Sequence, residues 1–513
     1  MRGSGPGNGH GSLNRAISAH KRLLWLGDAG PVLLLFAVVK LGVHLATDGN
    51  IGYHQDELYY LASARHLQLG YVDYPPLTPA VAWVAMMLFD HSVIGLRAFA
   101  AISGAVVVIL AGLTAAEMGG ARRAQIIAGL AALCAPMLLG ANWLFQTVTF
   151  DQLFWMAALY VLARLLRTGN LRQWLWLGLF LGLALETKYT VLALCLGIAV
   201  AVLVDSRLRS MLRTPYPWLG ALIAILMWAP NLGWQLANGW PTLAYVRAHA
   251  NDISSSGGVI AFLLNEILLV GPLVLPFWLL GWLHLFRDGS LRPLGIAAAI
   301  AFLALLPNGK AYYPGPIFPL VLAAAAVAVD RFAARRGRRW SVRALIGLLI
   351  ADAIIPLPIG IPLLPESVIA TAHLYSARKD FSDSIGWPEV TAQIANAWHA
   401  LAPEQRAHAA ILGRYYAEAG AVDEFGTEYG LPTALSPHLT YWYWKPARTD
   451  ATTVVAIGYT LQEMQRYFQT TRQVGTLSNS EGVHNEAWGR AVIVCTNPIE
   501  SLDAAWPSLR DFS

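Results

Sequence analysis

Charge is what this sequence has least of. Among 513 residues only 13% are Asp, Glu, Lys or Arg, while 56% are hydrophobic. Soluble domains carry roughly 25% charge, so the composition excludes an ordinary water-soluble chain and points to a polytopic membrane protein. Cysteine is scarce as well. Of the three, Cys134 and Cys195 lie within apolar runs and Cys495 lies far off in a polar tail, a spacing that suits neither a disulfide framework nor a thiolate metal site. There is no G-x-G-x-x-G or P-loop pattern for a nucleotide, no H-E-x-x-H, no G-x-S-x-G and no Cys/His cluster. His54 stands beside Asp56 without a further partner at ligand spacing, so no cofactor is certain and a divalent metal, though open, is not indicated. The net charge of +5 does not signal nucleic acid either. The arginines fall in short clusters between apolar runs, where membrane topology accounts for them.

What the chain does have is long apolar runs, near 23–46, 92–118, 124–141, 150–165, 173–186, 189–204, 217–236, 260–286, 293–307, 311–330 and 344–363. A span needs roughly 20 residues, so about eleven transmembrane helices are expected. Residues 1–20, rich in Gly, Ser and Asn, read as a disordered cytoplasmic N-terminus. With that end inside, the loops assigned to the cytoplasm hold Arg122, Arg123, Arg164, Arg167, Arg172, Arg207, Arg209, Arg213, Arg287, Arg292 and the run from Arg331 to Arg343. The loops assigned outside hold little more than Arg65, Lys188, Arg247 and Lys310. This is the positive-inside pattern of a multi-pass protein of the cytoplasmic (inner) membrane, and an odd number of spans puts the C-terminus outside. The run "LTPAVAWVAMMLF" (77–89) is too short to cross. With "ELYYLASARHLQLG" before it, it reads as helices lying at the outer interface, which makes 47–91 a structured outer loop of a membrane unit spanning 21–363. From 364 to 513 polar residues return, and "AHAAILGRYY", "TTVVAIGYTLQEMQRYFQTT" and "RAVIVCTN" give strand and strand-then-helix patterns. A small outer α/β domain is expected there.

Acids at a bilayer surface are costly and usually have a reason. "HQDELYY" places Asp56 and Glu57 side by side in the first outer loop. On a helix adjacent residues point about 100° apart, so one acid can face a cavity while the other caps the helix. Asp151, in "FDQLFW", sits at the outer end of the fourth run. Either site can also be read simply as acids in a first helical turn. Lys188, Lys310 and, a short way into the second run, Arg97 lie on the same side. They can snorkel to headgroups, or together with the acids they can form a pocket that holds a phosphate and removes a proton. Tyr60, Tyr312 and Tyr313 accompany these charges, as interfacial belt residues or as platforms for a sugar face. In the outer domain, "SPHLTYWYWKP" gathers His438 and Tyr441, either as a packed aromatic strand or as a carbohydrate-facing or membrane-facing surface.

Taken in order, "HQDELYYLASARHLQLGYVDYPPL", "GLRAFAAISG", "FDQLFW", "GLALETKYT", "GKAYYPGPIFPLVLAAAA", "GRYYAEAGAVDEFGTEYGLP" and "SPHLTYWYW" resemble the polytopic glycosyltransferases of the protein O-mannosyltransferase and aminoarabinose-transferase superfamily, the GT-C class. The resemblance implies an α-helical membrane enzyme that takes a sugar from a polyprenyl-phosphate donor at the outer membrane face and passes it to a lipid, glycan or protein acceptor. It implies that Asp56 is the catalytic acid of the first outer loop, with Glu57 in support, that Asp151 is the second acid, and that Lys188 and Lys310 contact the donor phosphate. Where some relatives carry a lysine before the proline of this loop, the chain has Tyr74, and the other cations would supply that contact. No nucleotide is required, because the lipid carries the activated sugar. The alternative from another class is a polytopic transporter or lipid-sugar carrier using the same polar cavity without covalent chemistry.

Overall fold

The computed structural model describes residues 29–249, 258–306, 310–337, 339–444 and 451–512. The N-terminal 1–20 segment and the first residues of the opening apolar run lie outside them. The membrane unit is built from helices α1 (Gly30–Thr47), α2 (Gln55–Arg65), α3 (Leu77–Phe89), α4 (Val93–Glu117), α5 (Arg122–Cys134), α6 (Pro136–Ala141), α7 (Thr147–Thr168), α8 (Gln173–Leu185), α9 (Val191–Val204), α10 (Pro215–Ala237), α11 (Pro241–Ala248), α12 (Gly258–Val270), α13 (Leu275–Arg287), α14 (Arg292–Leu305), α15 (Phe318–Arg336) and α16 (Arg339–Ile354). Among the described residues, five helices are long and apolar enough to cross a membrane: α1, α4, α7, α10 and the stretch Gly315–Arg336 containing α15. Each of the eleven apolar runs carries helix, but several of these helices are short, so the expected count of eleven spans is not established by their length.

Two runs depart from a single straight span. Pro136 lacks the N–H that would continue α5, which breaks the 124–141 run into α5 and α6. The 260–286 run bends by 90° between α12 and α13. Gly271 at the bend has φ +106, and a Cβ there would lie 1.6 Å from Asp352 Oδ2, so only glycine fits. The Asp352 carboxylate then accepts the Leu273 N–H at 2.9 Å, satisfying a backbone donor that the break would leave without a partner.

The two ends of the unit differ in charge. Glu117, at the last turn of α4, pairs with Arg164 and Arg167. Nearby, Arg123 pairs with Asp330, and Arg331 pairs with Asp288 and donates to the Met118 carbonyl. Arg97, near the opposite end of α4, is twenty residues away, about 30 Å along the helix. The arginine-rich loops therefore gather at one end of the bundle and the "HQDELYY" segment lies at the other.

Over that second end sits a C-terminal unit with helix α17 (Trp387–His399), strand β1 (Ala409–Gly413), helix α18 (Tyr416–Phe425), strands β2 (Thr453–Ile457), β3 (Phe468–Thr476) and β4 (Ala491–Pro498), and helix α19 (Leu502–Leu509). The sheet order is β1-β2-β4-β3, with β1 parallel to β2 and the other pairs antiparallel. Every residue of β1 and of β2 is buried, as expected of strands covered on both faces. The helix expected after β2 is a single turn at Leu461–Met464, and "FQTT" belongs instead to β3. "SPHLTYWYW" folds as a 3₁₀ turn over Leu439–Tyr443 rather than as a strand.

The first outer loop departs most from an interfacial arrangement. In α2, Glu57 through Ala64 are all buried, because α18 of the C-terminal unit lies directly on it. Gly420 makes this approach possible, since a Cβ there would meet Leu58 Cβ at 3.0 Å. By contrast, α3 leaves Trp83, Met87, Leu88 and Phe89 exposed.

Candidate active site

The two adjacent acids have opposite surroundings. His54 is the N-cap of α2, and its Nδ1 accepts the Asp56 N–H at 3.1 Å. Glu57 completes a capping box by accepting the His54 N–H at 2.9 Å. That duty turns the Glu57 carboxylate inward, where it also accepts from the Phe145 N–H at 2.9 Å and from Arg97 at 2.9 and 2.7 Å. Arg97 spends its remaining donors on the carbonyls of Asp48, Ile51 and Gly52, at 2.5, 3.1 and 2.7 Å. Both side chains of this pair are 0% exposed. Arg97, expected at the donor phosphate, is therefore corrected to a buried scaffold residue: its charge is already neutralised and its donors are occupied.

Asp56, rotated about 100° from Glu57, keeps a side chain that is 39% exposed. It faces a cavity of about 380 Å³. Around that cavity the structure brings together Asp56, Tyr60, Lys188, Lys310, Tyr312, Tyr313 and His438 from the expected set. Lys188 Nζ lies 5.2 Å from the Tyr312 ring centre and 4.6 Å from that of Tyr313, and Lys310 lies 5.9 Å from Tyr313. The ring faces hold both ammonium groups on one wall.

Four expected residues stand outside the cavity. Glu57 and Arg97 form the buried pair. Asp151, in the second turn of α7, is 2% exposed and accepts from Thr190 Oγ1 at 2.9 Å, one turn behind the cavity-lining Thr147 and Val148. Its charge is within electrostatic reach of Lys188. Tyr441 lies behind the wall, donating to Asp423 at 2.9 Å and stacking on Tyr59 at 6.0 Å.

Two cavity residues escaped the sequence reading. Tyr416, the first residue of α18, donates its hydroxyl to Asp56 Oδ1 at 2.6 Å. Its ring stacks on Tyr59 at 4.6 Å and on His438 at 5.3 Å. Burial first, and then the neighbouring Asp56 charge, hold the Tyr416 hydroxyl well above the usual phenol range, so it remains a donor. The second residue is Asp73, whose Oδ1 accepts the Tyr59 hydroxyl at 3.2 Å. Burial pushes its carboxyl up to about 7. The signal for Asp73 was present in "YVDYPP", but nothing local distinguishes it from a turn acid. Tyr416 is separated from Asp56 by 360 positions, and only the docking of the C-terminal unit reveals it.

Residues 73–234 match the family model described as dolichyl-phosphate-mannose-protein mannosyltransferase. That segment includes Asp73, Asp151 and Lys188 but not Asp56. No curated protein sequence matches the chain. Among solved structures, the ArnT of Cupriavidus metallidurans bound to undecaprenyl phosphate superimposes with a TM-score of 0.60 at 17% identity, covering 91% of this chain and 98% of that one. The same protein in its apo state gives a TM-score of 0.54 at 18% identity over the same shares. At these identities the likeness speaks for the fold, and the family model speaks for a resemblance of residues 73–234. The chain thus shares the fold of ArnT, a polytopic membrane protein, and its residues 73–234 resemble the mannosyltransferase family model.

Proposed function

We propose that this protein transfers a sugar from a polyprenyl-phosphate donor to a hydroxyl acceptor at the outer face of the cytoplasmic membrane. The observation that carries the proposal is a single cavity holding an open carboxylate, Asp56, together with two lysines, Lys188 and Lys310. The undecaprenyl phosphate bound to the ArnT relative supports a lipid-phosphate donor. The gathering of arginine pairs at the end opposite the cavity supports an outward-facing site, with the N-terminus inside and the C-terminal unit, residues 364–513, outside.

In the proposed reaction, the acceptor oxygen attacks the anomeric carbon. The bond from that carbon to the phosphate oxygen breaks, and its electron pair goes to the phosphate. The hydroxyl proton passes to Asp56, whose Oδ1 is occupied by Tyr416 and whose other oxygen is left to take it. Lys188 and Lys310 stabilise the charge that builds on the leaving phosphate. A single displacement inverts the anomeric centre. Asp151, behind the wall, tempers the field around Lys188.

The test uses the full chain in lipid nanodiscs with undecaprenyl-phosphate-linked hexose and pentose, plus a total envelope lipid and glycan extract as acceptor source, with products read by mass spectrometry. Mass gain on an acceptor that disappears with Asp56→Asn supports the reading. Sugar-lipid binding without any transfer by the wild type would favour a carrier instead.

A further inference from the structure

The cavity contains a second carboxylate that the proposed reaction leaves unused. Asp73 comes from the turn between α2 and α3, and its carboxyl is open to the cavity although deeply surrounded. Its orientation is fixed from behind. The Tyr59 hydroxyl accepts the Thr440 N–H at 3.0 Å, which commits its single proton to Asp73 Oδ1 at 3.2 Å. Thr440 in turn is anchored by the Val72 N–H on its own hydroxyl at 2.9 Å. The adjacent Tyr74 also borders the cavity, but its hydroxyl is engaged by a hydrogen bond of 2.7 Å with Ser63. Asp73 lies within electrostatic reach of both Asp56 and Lys310.

This placement is informative because of what lies on either side. A lipid-phosphate sugar bound here has its phosphate at the lysine wall and its anomeric carbon within reach of the base. The sugar ring extends from that carbon into the rest of the cavity, which Asp73 borders. A carboxylate accepts hydrogen bonds from hydroxyls and repels phosphate. From this juxtaposition we propose that Asp73 binds the hydroxyls of the donor sugar, so that the site prefers the sugar-loaded lipid over the spent lipid phosphate. This rests on the donor reading above and extends it: one acid serves the acceptor, and the other recognises the sugar. The preference also favours release of the spent carrier, since removal of the sugar leaves the phosphate facing a carboxylate with no hydroxyl between them.

The experiment measures binding of three probes to the full chain in nanodiscs: undecaprenyl phosphate, undecaprenyl-phosphate hexose and undecaprenyl-phosphate pentose. Wild type is expected to bind at least one sugar-linked lipid about tenfold or more tighter than the bare phosphate, on the scale of one hydrogen bond to a charged group. Asp73→Ala is expected to remove that preference while binding the bare phosphate at least as well, and Lys310→Ala to weaken all three probes. Asp73→Asn, close to the native shape, controls for folding through its melting temperature and is expected to lose most of the preference. Equal weakening of all probes by Asp73→Ala, or an unchanged preference, overturns the inference. If wild type binds the bare phosphate but favours neither sugar, the Asp73 inference fails and the phosphate reading survives. If it binds none of the three, the donor reading itself fails.

Discussion

Two charged clusters sit back to back on the first turn of α2, and they differ in how many of their polar atoms are already spoken for. On one side, Glu57 and Arg97 exchange two hydrogen bonds and satisfy five further backbone groups, with no exposure to solvent. On the other, Asp56, Asp73, Lys188 and Lys310 border open volume and lean on tyrosines. The residue types are alike and their distance along the chain is a single position, yet one cluster is a rivet and the other is available for chemistry. Removing one partner of a sealed pair leaves a buried charge alone, which is far costlier than the pair was ever stabilising. Removing an open charge costs little structure and much function.

That contrast can be broken or sharpened by substitution. The largest effect is expected from Asp56→Asn, a loss of transfer rate of about 10²–10⁴-fold with the melting temperature unchanged, read by product mass against time. Next comes Arg97→Ala, expected to destabilise the membrane unit by about 3–5 kcal/mol, visible as a lowered melting temperature and poor recovery from membranes. If Arg97→Ala instead left stability intact and only weakened donor binding, the division between the clusters would collapse. Lys188→Ala and Lys310→Ala should each weaken binding of undecaprenyl phosphate by about 10- to 100-fold without a change in folding, measured by titration in nanodiscs. Tyr416→Phe should slow transfer by about tenfold while leaving the donor KM near wild type, because it acts through Asp56. The smallest effect belongs to Tyr441→Phe, which loses the bond to Asp423 at a cost of about 1 kcal/mol in stability and leaves transfer rates unchanged.

Much of this architecture is legible in the residues themselves. Apolar runs mark the helices, arginine clusters mark one end of the bundle, and "AAILG", "TVVAI" and "AVIVC" mark β1, β2 and β4. What escapes is set by distant partners. "QEMQRYFQTT" has good helix formers, but pairing with β4 draws Phe468–Thr476 into the sheet, and tertiary context overrides propensity. The 260–286 run looks continuous because Asp352, which accommodates its break, lies about eighty positions on. Arg97 looked like a free cation because its partner Glu57 is forty positions earlier. The same blindness hid Tyr416. Of the candidate site, the cavity acid and both lysines were visible as charges on one side, whereas their division into sealed and open sets required three-dimensional contacts.

The hydrogen bond between Tyr416 and Asp56 joins a residue near the start of the chain to one near its end. During synthesis the membrane helices are in place long before the C-terminal unit emerges. Until that unit has folded and settled onto α2, the carboxylate at position 56 lacks the contact that orients it, and α2 itself lies uncovered. Under the proposed reaction, assembly therefore sets the rate: the base is fully oriented only once the last domain has docked.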